Sequence, residues 1–178
     1  MTRVLGAILG GGRASRFGSD KALATLDGQA LIDRVAAALS PQVDALIVVG
    51  RSHPGLTGAT DRPAPDLGPL GGIAGALHHG AANGFDRVLT VPCDAPFLPG
   101  DLRHQLSAAG PAAFLDHLPV VGWWPVVAAA ILDQLLTEGG SRSVRAFADR
   151  IGAVGIAGPA IANVNTPDDL ARIAAQHD

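Results

Sequence analysis

The sequence predicts an α/β fold: a three-layer α/β/α sandwich around a mostly parallel sheet. Three observations carry that expectation. Short apolar runs rich in β-branched residues alternate with stretches whose apolar residues recur at helical spacing. The first run, residues 4–9, passes straight into Gly10, Gly11 and Gly12. A later run, residues 86–91, is followed within three residues by Asp94, at the carboxyl end of a strand, where open α/β sheets place their ligand crevice.

Composition narrows the class further. The 178 residues suit a single domain, 1–178, long enough to bury roughly two-thirds of its unfolded surface. Hydrophobic residues make up 48% and charged residues 16%, which is globular rather than disordered, and a net charge of -3 argues against a nucleic-acid partner. Cys93 is the only cysteine, so no internal disulfide and no cysteine zinc cluster is expected, and the cytoplasm fits best. No run approaches the ~18 apolar residues of a membrane span, and the start lacks a signal peptide's apolar stretch, so no membrane association is expected.

In chain order, residues 4–9 read as a buried strand, 21–26 as a short extended piece, and Asp27-Gly28 as a turn. Leu31, Ile32, Val35, Ala38 and Leu39 share one face of a helix over 31–39, ended by Ser40-Pro41. Residues 45–49 supply the next strand and complete a right-handed βαβ unit. Residues 51–69 form a long loop with one poor edge strand near 59–62. A second glycine-rich turn, Gly68-Pro69-Leu70-Gly71-Gly72, opens a helix through Ala82. After the 86–91 strand, Asp101 is expected to cap a helix ending near Ala109. Residues 112–115 and 119–123 read as an antiparallel pair at the sheet edge, 126–136 and 143–149 as helices, and 153–156 as the last strand. Thr166 as cap with Pro167 at the first helical position starts a final helix over 168–175.

The first glycine-rich stretch reads as a triphosphate loop. Three glycines let backbone N–H groups approach an anion closely, and Arg13, Arg16 and Lys21 follow within nine residues. It is neither of the two commonest phosphate loops. Lys21 follows Asp20 rather than glycine, and Ser15 stands where the dinucleotide fingerprint needs its third glycine.

The remaining pattern, Leu-Gly-Gly-Gly-x-x-x-Arg-Phe-Gly-x-Asp-Lys, resembles the signature of the sugar-phosphate and molybdopterin nucleotidyltransferases. With Gly68-Pro69-Leu70-Gly71-Gly72, Pro92-Cys93-Asp94-Ala95-Pro96 and the Asn163 to Leu170 stretch, the whole chain is similar to the molybdenum cofactor guanylyltransferase family of the MobA type. The resemblance implies a Rossmann-like nucleotidyltransferase fold. It also implies transfer of GMP from GTP to Mo-molybdopterin, with Mg2+ and release of pyrophosphate, and transient contact with molybdoenzymes or other cofactor-biosynthesis proteins. Other readings are a related nucleotidyltransferase, cytidylyl or acting on another small phosphate, and a non-catalytic GTP or cofactor carrier.

Such a transfer needs two anions aligned and the leaving charge neutralised. Arg16 and Lys21 are the candidate cations, and Asp94 is the candidate metal ligand and third catalytic residue. Guanine is expected to meet backbone groups of Leu9, Gly10 and Gly11, with Gly12, Lys21, Gly68, Pro69, Leu70 and Asp94 completing the nucleotide site. A carboxylate accepting from the base N1 and N2 is implied just before the Gly-Pro-Leu turn. Asp61 is preferred there and Asp66 is its rival. Asn163, Asn165 and Arg142 are the acceptor-side candidates, with Arg145 beside them; solvated charge is the competing reading for both arginines. Trp123 and Trp124 could wall the pterin, or one of them could pack in the core. The histidines, among them His78 and His79, read as surface residues, and Cys93 as packing beside Asp94.

Two positions depart from the resemblance. Gly50 replaces an asparagine found in some members after the second strand, and Gly10 replaces the usual alanine of Leu-Ala-Gly-Gly.

Overall fold

Six successive buried residues, Val4–Leu9, form β1 at the heart of the sheet. A strand covered on both faces needs no polar alternation, which explains the continuous apolar run. The computed structural model describes residues 1–11, 21–139, 142–166 and 168–172. Within them, Thr25–Leu26 (β2) and Gln29–Ala30 (β3) pair as a small hairpin, followed by α1, Leu31–Leu39. Next come β4 (Ala45–Val49), β5 (Thr57–Ala59), α2 (Pro69–Ala82), β6 (Arg87–Pro92) and α3 (Leu102–Ala109). The chain continues through β7 (Ala113–Leu115), β8 (Leu118–Pro125), α4 (Ala129–Thr137), α5 (Val144–Ile151) and β9 (Val154–Ile156).

The main sheet has seven strands in the order β5-β4-β1-β6-β8-β7-β9. All neighbours are parallel except β8, which runs antiparallel to both β6 and β7. Apolar residues of α2, α4 and α5 join one face of the sheet in a single core, and those of α1 and α3 join the other. The three-layer, mostly parallel architecture is therefore present. No helix among the described residues is long and apolar enough to cross a membrane.

Consecutive strand residues point to opposite faces, so Trp123 enters the α1/α3 core and Trp124 the α2/α4/α5 core. Both are buried, and neither forms a pterin wall. Trp124 stacks 6.3 Å from the Phe114 ring and lies tilted 5.4 Å from Phe147. Its Nε1 donates to Thr90 Oγ1 at 2.8 Å, and that hydroxyl donates to the Val120 carbonyl at 2.7 Å. Thr90, the polar residue in the middle of an apolar strand, is satisfied by this chain of bonds.

Several local expectations are corrected. The edge strand lies at Thr57–Ala59, not 59–62, because it pairs with the buried end of β4, Ile47 to Val49, and the chain then turns away. Residues 21–26 hold a 3-10 turn, Lys21–Leu23, before β2, since Asp27 (φ 51°) and Gly28 (φ 77°) fold the chain into a hairpin. The β7–β8 hairpin is interior to the sheet; β9 covers its outer side by parallel pairing with β7. Asp101 makes no capping bond to α3 and instead accepts from Gln105 Nε2 at 2.9 Å. His53 is no surface residue: its side chain is 9% exposed and its Nε2 lies 2.7 Å from Asp33. His78 joins α2 to α4 through Asp133 at 2.8 Å.

The cap at Thr166 is present, its Oγ1 accepting from Asp169 N at 3.1 Å. The Asp169 carboxylate accepts in return from the backbone N–H groups of Asn165 and Thr166, each at 3.0 Å, a reciprocal box that also holds this carboxyl below its ordinary pKa. Residues 168–172 are helical; Pro167 and 173–175 of the expected helix lie outside the described residues.

Candidate active site

The site lies at the carboxyl ends of β1, β4 and β6, which remain laced together beyond the strands. Gly10 N donates to the Val49 carbonyl at 2.9 Å, and Cys93 N donates to the Leu9 carbonyl at 3.1 Å. Two backbone groups expected to read the base are thus already engaged. Gly10 C=O and Gly11 N–H make no backbone hydrogen bond to another described residue.

Beside this platform the chain turns at Gly50, with φ +82°. A Cβ there would stand 2.8 Å from Gly11 Cα and 2.9 Å from Asp61 Oδ1. No side chain fits, so the missing asparagine follows from how closely the two loops approach. The Asp61 carboxylate fills the resulting cradle: a Cβ on Gly11 would lie 3.3 Å from Oδ2, one on Gly72 3.8 Å from Oδ1, and one on Gly71 3.5 Å from Asp61 Cβ.

Asp61 Oδ1 is buried and has no hydrogen-bond partner among the described residues. Burial, and secondarily the charge of Asp66, pushes its carboxyl above the ordinary value of 3.8. A buried acceptor left open on a glycine platform is suited to a ligand's donors. Asp66 is exposed, so the geometry favours Asp61 over its rival.

The raised pKa fixes the sign of a stability effect. In the fold Asp61 holds its proton to higher pH than in the unfolded chain, so its ionisation costs stability as pH rises above 3.8, fully once pH passes the raised value. Asp61→Asn is expected to raise the melting temperature of the unliganded protein at pH 7. That gain should fade below pH 3.8 as the wild-type carboxyl becomes protonated in both states. Thermal melts across pH check this, and a lower melting temperature of the variant at pH 7 would overturn it.

α2 begins at Gly68, with φ +64°, Pro69 at its first turn and Leu70 wholly buried. The Leu70 side chain packs in the α2/α4/α5 core. Arg62 N donates to the Gly71 carbonyl at 3.0 Å, tying the Asp61 loop to this helix start. One turn on, a Cβ at Gly75 would come within 2.2 Å of the Thr60 carbonyl oxygen, so helix and loop backbone are in direct contact.

Asp94 sits two residues past β6, its Oδ1 sealed from solvent. The Asp94 carbonyl accepts from Val164 N at 2.9 Å, which brings the 163–166 segment to the same rim. Asn163 Oδ1 is also buried without a hydrogen-bond partner among the described residues. Cys93 packs against the α1/α3 core beside Asp94, as expected. Among the described residues no three His, Cys, Asp or Glu side chains group as a metal cluster.

Arg142 is exposed ahead of α5, and Arg145 is committed to the Asp116 carbonyl and carboxylate. Asn165 contributes its backbone N–H to the helix cap. Gly12, Arg16 and the Lys21 side chain lie outside the described residues.

Sequence reasoning passed over Arg51, which lines a cleft of about 820 Å³ together with Gly50, Thr60, Asp61 and Arg62. In register Gly10 stands opposite Gly50, and Arg51, one residue further, folds its stem back against Gly10.

Glycine loops and an acidic residue at the carboxyl ends of parallel strands stand where open α/β folds place their ligand crevice. Residues 6–154 match the family model described as the MobA-like NTP transferase domain. A molybdenum cofactor guanylyltransferase of Cereibacter sphaeroides is 40% identical, covering 96% of this chain and 95% of that protein. One from Sinorhizobium fredii is 39% identical, covering 92% and 87%. The structure of molybdopterin-guanine dinucleotide biosynthesis protein A from Archaeoglobus fulgidus superposes with a TM-score of 0.76 at 23% identity, covering 97% of this chain and 98% of that one. The chain belongs to the MobA-like NTP transferase family, a nucleotidyltransferase family.

Proposed function

We propose that this protein is a molybdenum cofactor guanylyltransferase. A phosphate oxygen of Mo-molybdopterin attacks the α-phosphorus of GTP, the bond to the β-phosphate oxygen breaks, and pyrophosphate leaves as the dinucleotide forms. The observation that carries the guanine assignment is Asp61, whose open carboxylate on the Gly10-Gly11 platform suits the N1 and N2 donors of guanine. Relatives named for the same activity at about 40% identity support it.

In this reading Asp94 holds Mg2+, which would neutralise phosphate charge, and Arg16 and Lys21 are assigned to the leaving pyrophosphate. Leu9, Gly10, Gly11 and Gly12 carry the base and phosphates, with Gly68, Pro69 and Leu70 offering backbone at the helix start. Asn163 is the acceptor-side residue with the best support, because its buried Oδ1 lies in the segment tied to Asp94. Asn165 and Arg142 are assigned with it, and molybdoenzymes are the proteins that would receive the product. The lone thiol of Cys93 suits the cytoplasm.

The test is pyrophosphate release by the purified protein with molybdopterin and magnesium, comparing GTP, CTP and ATP. GTP-selective release is expected. CTP-selective release would move the protein to a cytidylyl activity, and tight GTP binding without turnover would make it a carrier.

A further inference from the structure

Gly10 and Gly11 are backed by two different charged side chains. A Cβ on Gly11 would meet the Asp61 carboxylate, whereas one on Gly10 would fall 2.3 Å from Arg51 Cδ and 2.7 Å from Cγ. The aliphatic stem of Arg51 thus occupies the space that an alanine at residue 10 would fill. Arg51 Nε is buried, and the residue lines the same cleft as Asp61. A basic and an acidic side chain therefore flank one two-residue platform and line one cleft.

Guanine is the base whose edges match that pair. Its N1–H and N2–H2 are donors for a carboxylate, and its O6 and N7 are adjacent acceptors that a guanidinium fork meets bidentately. Adenine offers a donor at N6 in place of O6, and cytosine has no N7. We infer that Arg51 is a specificity-determining residue that donates to guanine O6 and N7 while Asp61 accepts from N1 and N2, an assignment that rests on the guanylyl reading above. Gly10 is then the partner of Arg51, since any side chain there displaces the arginine stem.

The experiment is competitive displacement of a fluorescent GTP analogue by GTP, 7-deaza-GTP (no N7 acceptor), ITP (no N2 amino group) and CTP. The set is run on the wild type, Arg51→Ala, Arg51→Lys and Gly10→Ala. For the wild type, 7-deaza-GTP should bind about tenfold more weakly than GTP. In Arg51→Ala, GTP itself should weaken about ten- to a hundredfold and the 7-deaza penalty should vanish, while the ITP penalty, which belongs to Asp61, persists. Gly10→Ala should shrink the 7-deaza penalty with the arginine still present, and Arg51→Lys, which keeps the charge without the fork, should lie between. A merely structural arginine would weaken GTP and 7-deaza-GTP equally, so an unchanged ratio in Arg51→Ala and Gly10→Ala overturns the inference alone. A wild type that binds CTP more tightly than GTP overturns the guanylyl reading itself.

Discussion

Asp94→Ala is expected to lower pyrophosphate release by about a hundred- to a thousandfold, with the melting temperature nearly unchanged. Phosphoryl chemistry of this kind depends on charge neutralised at the moment the leaving group departs, and the proposed reading gives that role to Asp94, two residues past β6. Among the described residues no group of three His, Cys, Asp or Glu side chains could hold the ion in its place. Asp94→Asn keeps the shape and loses the charge, so it should fall nearly as far. Raising magnesium should recover part of the activity in Asn but not in Ala. Turnover within a few fold of wild type in both variants would remove Asp94 from the proposed role.

The largest stability effect is expected at Trp124. Alanine there removes a fully buried ring, its contacts with Phe114 and Phe147, and the donor to Thr90. The cost should be about 3–5 kcal/mol. At roughly 2–4 °C per kcal/mol for a domain of this size, the melting temperature should drop by about 6–20 °C. Trp124→Phe preserves most of the ring packing, and Thr90 keeps its bond to the Val120 carbonyl, so no buried donor is stranded. About 1–2 kcal/mol is expected for that change. Denaturant melts of the pair separate packing from hydrogen bonding, and equal losses for the two would contradict this division.

What the sequence made legible, and what it hid, follows from the range of the interactions involved. β1, β4, β6 and α1 are set by local apolar periodicity and were readable from it. Asp94 was readable because a strand end followed by an acidic residue is itself a local pattern. The place of the β7–β8 hairpin was not, since nothing within Ala113 to Pro125 says that β9, thirty residues later, will pair outside it. His53 was misjudged for the same reason: its partner Asp33 lies on α1, twenty residues earlier. Asp61 was placed by family resemblance, but its cradle of glycines depends on four separate points of the chain meeting. The place of Arg51 beside Gly10 depends on the absent side chain at residue 10, which leaves room for the arginine stem.

The reversed direction of β8 has a consequence for how such a protein can change. Running β8 backwards returns the chain to the β6 carboxyl end at Leu118, and the β7–β8 turn, Asp116 and His117, therefore stands on the same rim as Asp94. With the 157–166 segment, which follows β9 to that rim, it forms a wall drawn wholly from the later part of the chain. The Gly10, Arg51, Asp61 and Gly68 side comes wholly from the earlier part. The two parts of the chain meet at the backbone of Asp94 and in the small core where Val164 and Leu170 pack with Leu26 and Leu31. A change in the loops of one part that leaves this shared packing intact leaves the other rim in place.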